Sequence, residues 1–157
     1  MKTRFIFYYF LFLIASQHSI AQVINEGPYN LKIAKFNKEK VRGKTFWLIE
    51  CFLKNNSKTT LSYLSMSCSW TDFYTVSNKE LEIGGFECDK NFPTILQVPS
   101  GKNRAVVLRL YKSKNFKALT ATSIKIGLNI IEASSSKYFD EKMKKKNVIW
   151  SNSIALW

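Results

Sequence analysis

Leu61-Ser62-Tyr63-Leu64-Ser65-Met66-Ser67-Cys68-Ser69-Trp70 is the stretch whose reading decides the fold class. Leu64, Met66, Cys68 and Trp70 share one phase, and Ser65, Ser67 and Ser69 share the other. Alternation with period 2, apolar against serine, predicts an antiparallel strand with one face on a core and one face wet. On either side the same pattern recurs in short runs, while helical periodicity is nearly absent. Thr45–Lys54 is a strong strand ended by Asn55-Asn56-Ser57, and Tyr29–Phe36 is a weaker one before it. Phe92–Val98 enters through Pro93 and leaves at Pro99-Ser100-Gly101, residue types that make turns. Arg104–Lys112 places Val106, Leu108 and Leu110 inward. Ser123–Ile131 aligns Ile124, Ile126, Leu128 and Ile130, and Val148–Trp157 aligns Val148, Trp150, Ile154 and Leu156. Leu81-Glu82-Ile83 reads as a short edge piece broken by Gly84-Gly85, and Glu132–Asn147 as a long loop or a short helix.

About seven short strands with regular turn signals predict an all-β, single-domain, two-sheet antiparallel sandwich of the immunoglobulin-like kind. No crossover helices appear, which argues against a parallel α/β sheet.

The first residues predict export. Lys2 and Arg4 precede an apolar run from Phe5 to Ala15, and Ser19 and Ala21 stand three and one before a cut ahead of Gln22. This is the three-part layout of a secretory signal peptide, expected over residues 1–21, with the domain at 22–157. The run is shorter than the roughly 20 residues that span a bilayer, so no transmembrane segment is expected after cleavage. The expected location is the periplasm or the exterior. Losing Lys2 and Arg4 takes the formal charge from +13 to +11, and losing His18 leaves no histidine. A charge of that size implies anionic surroundings or simple solubility. Most of it is lysine, which lacks the bidentate fork of arginine. Arg42, Arg104 and Arg109 are the remaining arginines.

Three cysteines in an exported chain suggest one disulfide and one free thiol. Cys51 is in phase with Trp47, Ile49 and Leu53, which places it in the core as a small hydrophobe. Cys68 and Cys88 flank a turn-rich segment and are the expected pair.

Catalytic signatures fail on inspection. Without histidine there is no Ser-His-Asp or Cys-His chemistry, and a four-cysteine zinc site fails by count. Ser134-Ser135-Ser136-Lys137 has serine–lysine spacing but no partner motif. Gly43-Lys44-Thr45 resembles the end of a phosphate loop, but Lys38 stands where its first glycine is required. Glu80 with Glu82, Glu87 with Asp89, and Asp140 with Glu141 are carboxylate pairs of the kind solvated loops carry. No metal site and no cofactor are expected. Nucleic acid is not an expected partner, because the basic run lacks interleaved aromatics. A membrane β-barrel would need about 8 or more strands of roughly 10 residues, which the irregular middle of the chain breaks.

Two groups remain as candidate binding residues. Trp70, Asp72, Phe73 and Tyr74 combine aromatic faces with a polar neighbour. Lys142, Lys144, Lys145 and Lys146 form a basic run before the last strand, partly offset by Asp140 and Glu141.

Ser67-Cys68-Ser69-Trp70, Cys88-Asp89-Lys90-Asn91 with Pro93, and Pro99-Ser100-Gly101-Lys102 ahead of an alternating strand resemble small exported immunoglobulin-like β-sandwich proteins of Gram-negative bacteria. The likeness is one of layout over most of the chain, and it implies a binding, inhibitory or scaffold role. Cys51 departs from the antibody pattern, having no inter-sheet partner on Ser123–Ile131. The expectation is a monomeric, non-catalytic binding module for a protein partner, as an inhibitor or immunity-type protector, or for an anionic envelope component. The alternative is a carboxylate-dependent envelope hydrolase.

Overall fold

The alternating runs become strands in the computed structural model, which describes residues 27–41, 43–85, 88–114, 116, 123–137, 139–144 and 146–155. The expected signal peptide and Lys145 lie outside the described residues. The chain is all-β and antiparallel. β1 (Tyr29–Val41) and β2 (Lys44–Asn55) form a long hairpin, followed by β3 (Leu61–Met66). A 3-10 turn at Ser69–Phe73 leads into β4 (Tyr74–Val76) and β5 (Leu81–Ile83). β6 (Pro93–Val98) and β7 (Asn103–Lys112) come next, then β8 (Ser123–Ile124) and β9 (Ile126–Asn129). A one-turn helix, α1 (Phe139–Met143), precedes β10 (Val148–Trp150) and β11 (Ile154–Ala155).

One layer is a four-stranded sheet in the order β1-β2-β7-β5. The other is assembled from shorter ladders, β10-β9-β4, β11-β8 and β3-β6. Backbone bonds join them. The Leu64 N–H donates to the Ile131 carbonyl at 2.9 Å and the Ala133 N–H to that of Ser62 at 3.0 Å, so β3 runs beside the continuation of β9. Leu31, Ile49, Leu53, Leu108 and Leu110 from the first layer and Leu64, Ile126 and Leu128 from the second share one core. Burying each such side chain contributes about 1.5–3 kcal/mol relative to exposure.

The layers are also tied by a side chain. β1 carries a register shift between Ile33 and Lys35, and the Ile33 N–H donates to Asn152 Oδ1 at 2.7 Å. Asn152 sits in the break between β10 and β11, so the irregularity in β1 is met by a side chain from the other layer. A backbone donor left unpaired there would cost about as much as a lost hydrogen bond.

Several expectations change. The run from Leu61 does not stay extended to Trp70; the strand stops at Met66. Asn91 Oδ1 accepts from the N–H groups of both Cys68 and Ser69 at 3.2 Å, offering that backbone a partner outside the ladder. β3 is also not half wet, because Tyr63, Leu64 and Ser65 are all buried. Trp150 points outward and is 47% exposed instead of joining the core. It stands opposite Gly127, where an added Cβ would lie 3.2 Å from the indole and 2.7 Å from Val148 Cγ1. The ring therefore roofs a glycine, as aromatics do in designed sheets. Glu132–Asn147 contains α1, whose Phe139 meets Phe73 at 6.4 Å between ring centroids.

Cys68 and Cys88 are disulfide-bonded with a Cα–Cα distance of 6.4 Å, and Cys51 is free and fully buried. No helix among the described residues is long and apolar enough to cross a membrane.

Candidate binding cleft

β5 pairs with β7 only at Leu81–Ile83 against Leu110–Lys112, whereas β2 covers β7 from Asn103 to Leu110. Among the described residues β6 is paired only with β3. Both layers thus end early on the same side, and a cleft of about 290 Å³ opens there. Its walls are Tyr63, Ser65, Met66 and Ser67 of β3 and its end, Thr94 and Leu96 of β6, and Arg104–Val107 of β7. Trp70, Phe73 and Tyr74 close it from the 3-10 turn and β4, with Leu128 behind. Trp70 and Tyr74 meet edge to face, 5.9 Å apart at 89°. The volume lies near the lower end of the roughly 300–1,000 Å³ of small-molecule sites, so it suits one side chain or a small group.

Among the described residues Arg104 is the one charged residue lining this cleft. It pairs in register with the buried Leu53 and so shares the inward phase of β7, but at the start of the strand it is exposed. Burial pushes the Tyr63 hydroxyl pKa above its usual range, and Arg104 partly offsets this. Burial raises Tyr74 further, the nearby Tyr63 and Cys51 add to the rise, and Arg104 again opposes it. Both tyrosines remain neutral hydroxyls within electrostatic reach of the Arg104 guanidinium. That combination, a cation and O–H donors against aromatic walls, is suited to an anion carried on an apolar or planar group.

Beneath the cleft, burial and the neighbouring Glu50 push the Cys51 thiol up to about 12. Cys51 is therefore expected to resist alkylation in the folded protein. In the unfolded chain it ionises near 9.0. Protons are then bound more tightly in the folded state, so this contribution is complete below pH 9 and is lost as pH rises from 9 towards 12. The slope is about 1.4 kcal/mol per pH unit. Urea titrations of wild-type protein and Cys51→Ala at pH 8 and pH 11 check this, the variant being the less pH-sensitive.

Of the residues singled out from sequence, Trp70, Phe73 and Tyr74 converge on this cleft. Asp72 does not. It is exposed and faces a shallower hollow with Asn78, Lys79 and Glu82. Of the basic run, the described Lys142, Lys144 and Lys146 line neither. Lys142 Nζ donates to the Ser135 carbonyl at 2.9 Å, and Lys144 and Lys146 are exposed. Among the described residues there is no group of three or more His, Cys, Asp or Glu able to hold a metal. Arg104 was legible: continuing the phase of Leu110, Leu108 and Val106 by one step makes it inward-facing. A charged residue at the head of an apolar phase is easily taken for the strand's wet end.

No protein-family model matches this chain, and no curated protein matches it by sequence. Among solved structures it is similar to a FixG-related protein from Vibrio parahaemolyticus, with a TM-score of 0.42 and 9% identity over 83% of this chain and 97% of that one.

Proposed function

We propose that this is an exported, non-catalytic binding module of the periplasm or cell exterior, and that it takes an acidic group of its partner in the β3–β6–β7 cleft. The partner is a protein, as for an inhibitor or immunity-type protector, or an anionic envelope polymer. The observation that carries this reading is the single guanidinium of Arg104 set among Tyr63, Trp70 and Tyr74. Export is supported by the leader-like residues 1–21 and by the disulfide, a bond that persists in oxidising compartments. What speaks for binding over hydrolysis is the placement of the acids. Asp140 and Glu141 lie on α1 and Glu82 on β5, and none of these lines the cleft.

The test uses mature wild-type protein, Arg104→Gln, and a variant with Lys142, Lys144, Lys145 and Lys146 all changed to Ser, each immobilised against the envelope fraction. Arg104→Gln should weaken retention about tenfold, the effect of losing one charge-assisted contact. The four-lysine variant should retain most binding. Retention unchanged by Arg104→Gln but lost in the four-lysine variant would move the site to the basic run.

A further inference from the structure

We infer that the edge of β7 beside this cleft, which no described strand pairs at Ala105 and Val107, accepts an extended segment of a partner protein as an added strand, with an acidic side chain of that segment reaching Arg104. This rests on the cleft being the binding site and names the form of its ligand.

The edge follows from the ladder. The Gly84 N–H donates to the Arg109 carbonyl at 2.8 Å, so the backbone groups of Arg109 point away from β2. Alternate residues of a strand present their N–H and C=O to the same side. The β2–β7 register runs without a shift from Trp47↔Leu110 to Lys54↔Asn103. The backbone groups of Val107 and Ala105 therefore also face the side that β5 would occupy had it continued. Among the described residues no strand pairs with them there. An unpaired row of this kind is a template for another strand, and sheet proteins ordinarily cover or charge it. Here it is neither. Val107 is 53% exposed.

A strand laid along Ala105 and Val107 would lie in the gap between β7 and β6. Its alternate side chains would enter the cleft, which has room for about one residue between Trp70, Tyr74 and Arg104. Strand addition draws affinity from main-chain hydrogen bonds and specificity from pockets for alternate side chains, and both halves are present. Charge selects the occupant. A second copy of this chain would bring the same Arg104 and the same excess of cations, formally +11 without residues 1–21, against its own kind. An acidic segment of a different protein is the complementary partner.

Proline separates the edge from the ladder. At Ala105 or Val107 it removes an N–H that points away from β2 and leaves the β2 bonds in place, a position where strands tolerate it. A displayed library of random eleven-residue peptides, selected on wild-type protein, supplies the probe. Selected peptides should alternate β-branched residues with an acid at a fixed position. They should lose about tenfold or more in affinity on Ala105→Pro and on Arg104→Gln, the loss expected for one or two edge hydrogen bonds or one charged contact. Equal urea midpoints for wild type and Ala105→Pro establish that the variant is folded; if it is not, protection of the Ala105 and Val107 amides from exchange on peptide binding replaces it. Acidic peptides sensitive to Arg104→Gln but not to the edge change would overturn strand addition while leaving the cleft intact. Insensitivity to both would remove the cleft as well. Concentration-dependent dimerisation abolished by Ala105→Pro would overturn the inference in favour of a second copy.

Discussion

Replacing Asn55 with alanine is expected to lower the unfolding free energy by about 3 kcal/mol, at the upper end of what one orphaned buried polar group costs. Asn55 is fully buried at the end of β2. Its Nδ2 donates to the carbonyls of Thr59 and Val98, both at 2.8 Å. Its Oδ1 accepts from the Ser57 N–H at 3.0 Å and from the Ser57 hydroxyl at 2.7 Å. Its backbone N–H donates to Lys102 and its carbonyl accepts from Gly101. Gly101 has φ 70°, a left-handed conformation that glycine adopts without a Cβ penalty. One residue thus joins the β2–β3 turn to the β6–β7 turn, and alanine would remove all four of its side-chain hydrogen bonds at a fully buried position. Asn55→Asp separates hydrogen bonding from size. Its second oxygen would face two carbonyls, so it should destabilise at least as much near neutral pH. Urea unfolding checks both. A loss below about 1 kcal/mol for alanine would place Asn55 among ordinary turn residues.

Asn55 also marks what the sequence could and could not disclose. Period-2 alternation is a local property, and wherever a strand meets the core on one face it was readable. Ile124, Ile126, Leu128 and Ile130 are all buried as expected, and Cys51 lies in the core with Ile49 and Leu53. The Cys68–Cys88 pairing was legible because the third cysteine was already assigned to that core. The failures share a cause, namely side chains that replace ladder partners across long sequence separations. Asn91 draws the backbone of Cys68 and Ser69 out of β3, and Asn152 fills the irregularity in β1. Asparagine beside a strand reads as a turn former, and nothing local says which distant N–H it will meet. Trp150 was aligned by phase with Val148, Ile154 and Leu156, and phase does not disclose the need it meets, covering Gly127, which lies on another strand. The aromatic group at Trp70–Tyr74 was visible as a group. Its orientation towards Arg104 depends on the 3-10 turn, which the serine alternation concealed.

Removing the disulfide with Cys68→Ser and Cys88→Ser should cost about 3 kcal/mol on the chain-entropy model, since the bond closes a segment of sequence separation 20. That part of the effect acts on the unfolded chain. A second part should be local. The bonded segment contains the 3-10 turn, β4 and β5, and the turn carries Trp70, one wall of the cleft. Without the bond, what holds the turn to the entry of β6 is the Asn91 side chain, with Nδ2 on Ser69 Oγ at 2.8 Å, and the pairing of Ser67 with Phe92. These contacts are exposed and individually worth about 0.5–1.5 kcal/mol. The amides of Ser69–Phe73 should therefore exchange faster in the double variant under conditions where β2 and β9 stay protected. Ligand retention that depends on Arg104 should fall with them. The two contributions separate experimentally, because an effect on the unfolded chain alone would lower the urea midpoint and leave both native-state exchange in the turn and retention unchanged. Reduction of the wild-type protein should reproduce the double variant. Cys51 should stay unreactive throughout, since its burial depends on β2 and not on the bond. A reduced protein that kept its full urea stability would show that the Asn91 network alone fixes this end of the sandwich. The cleft wall would then be a property of the β3–β6 hairpin.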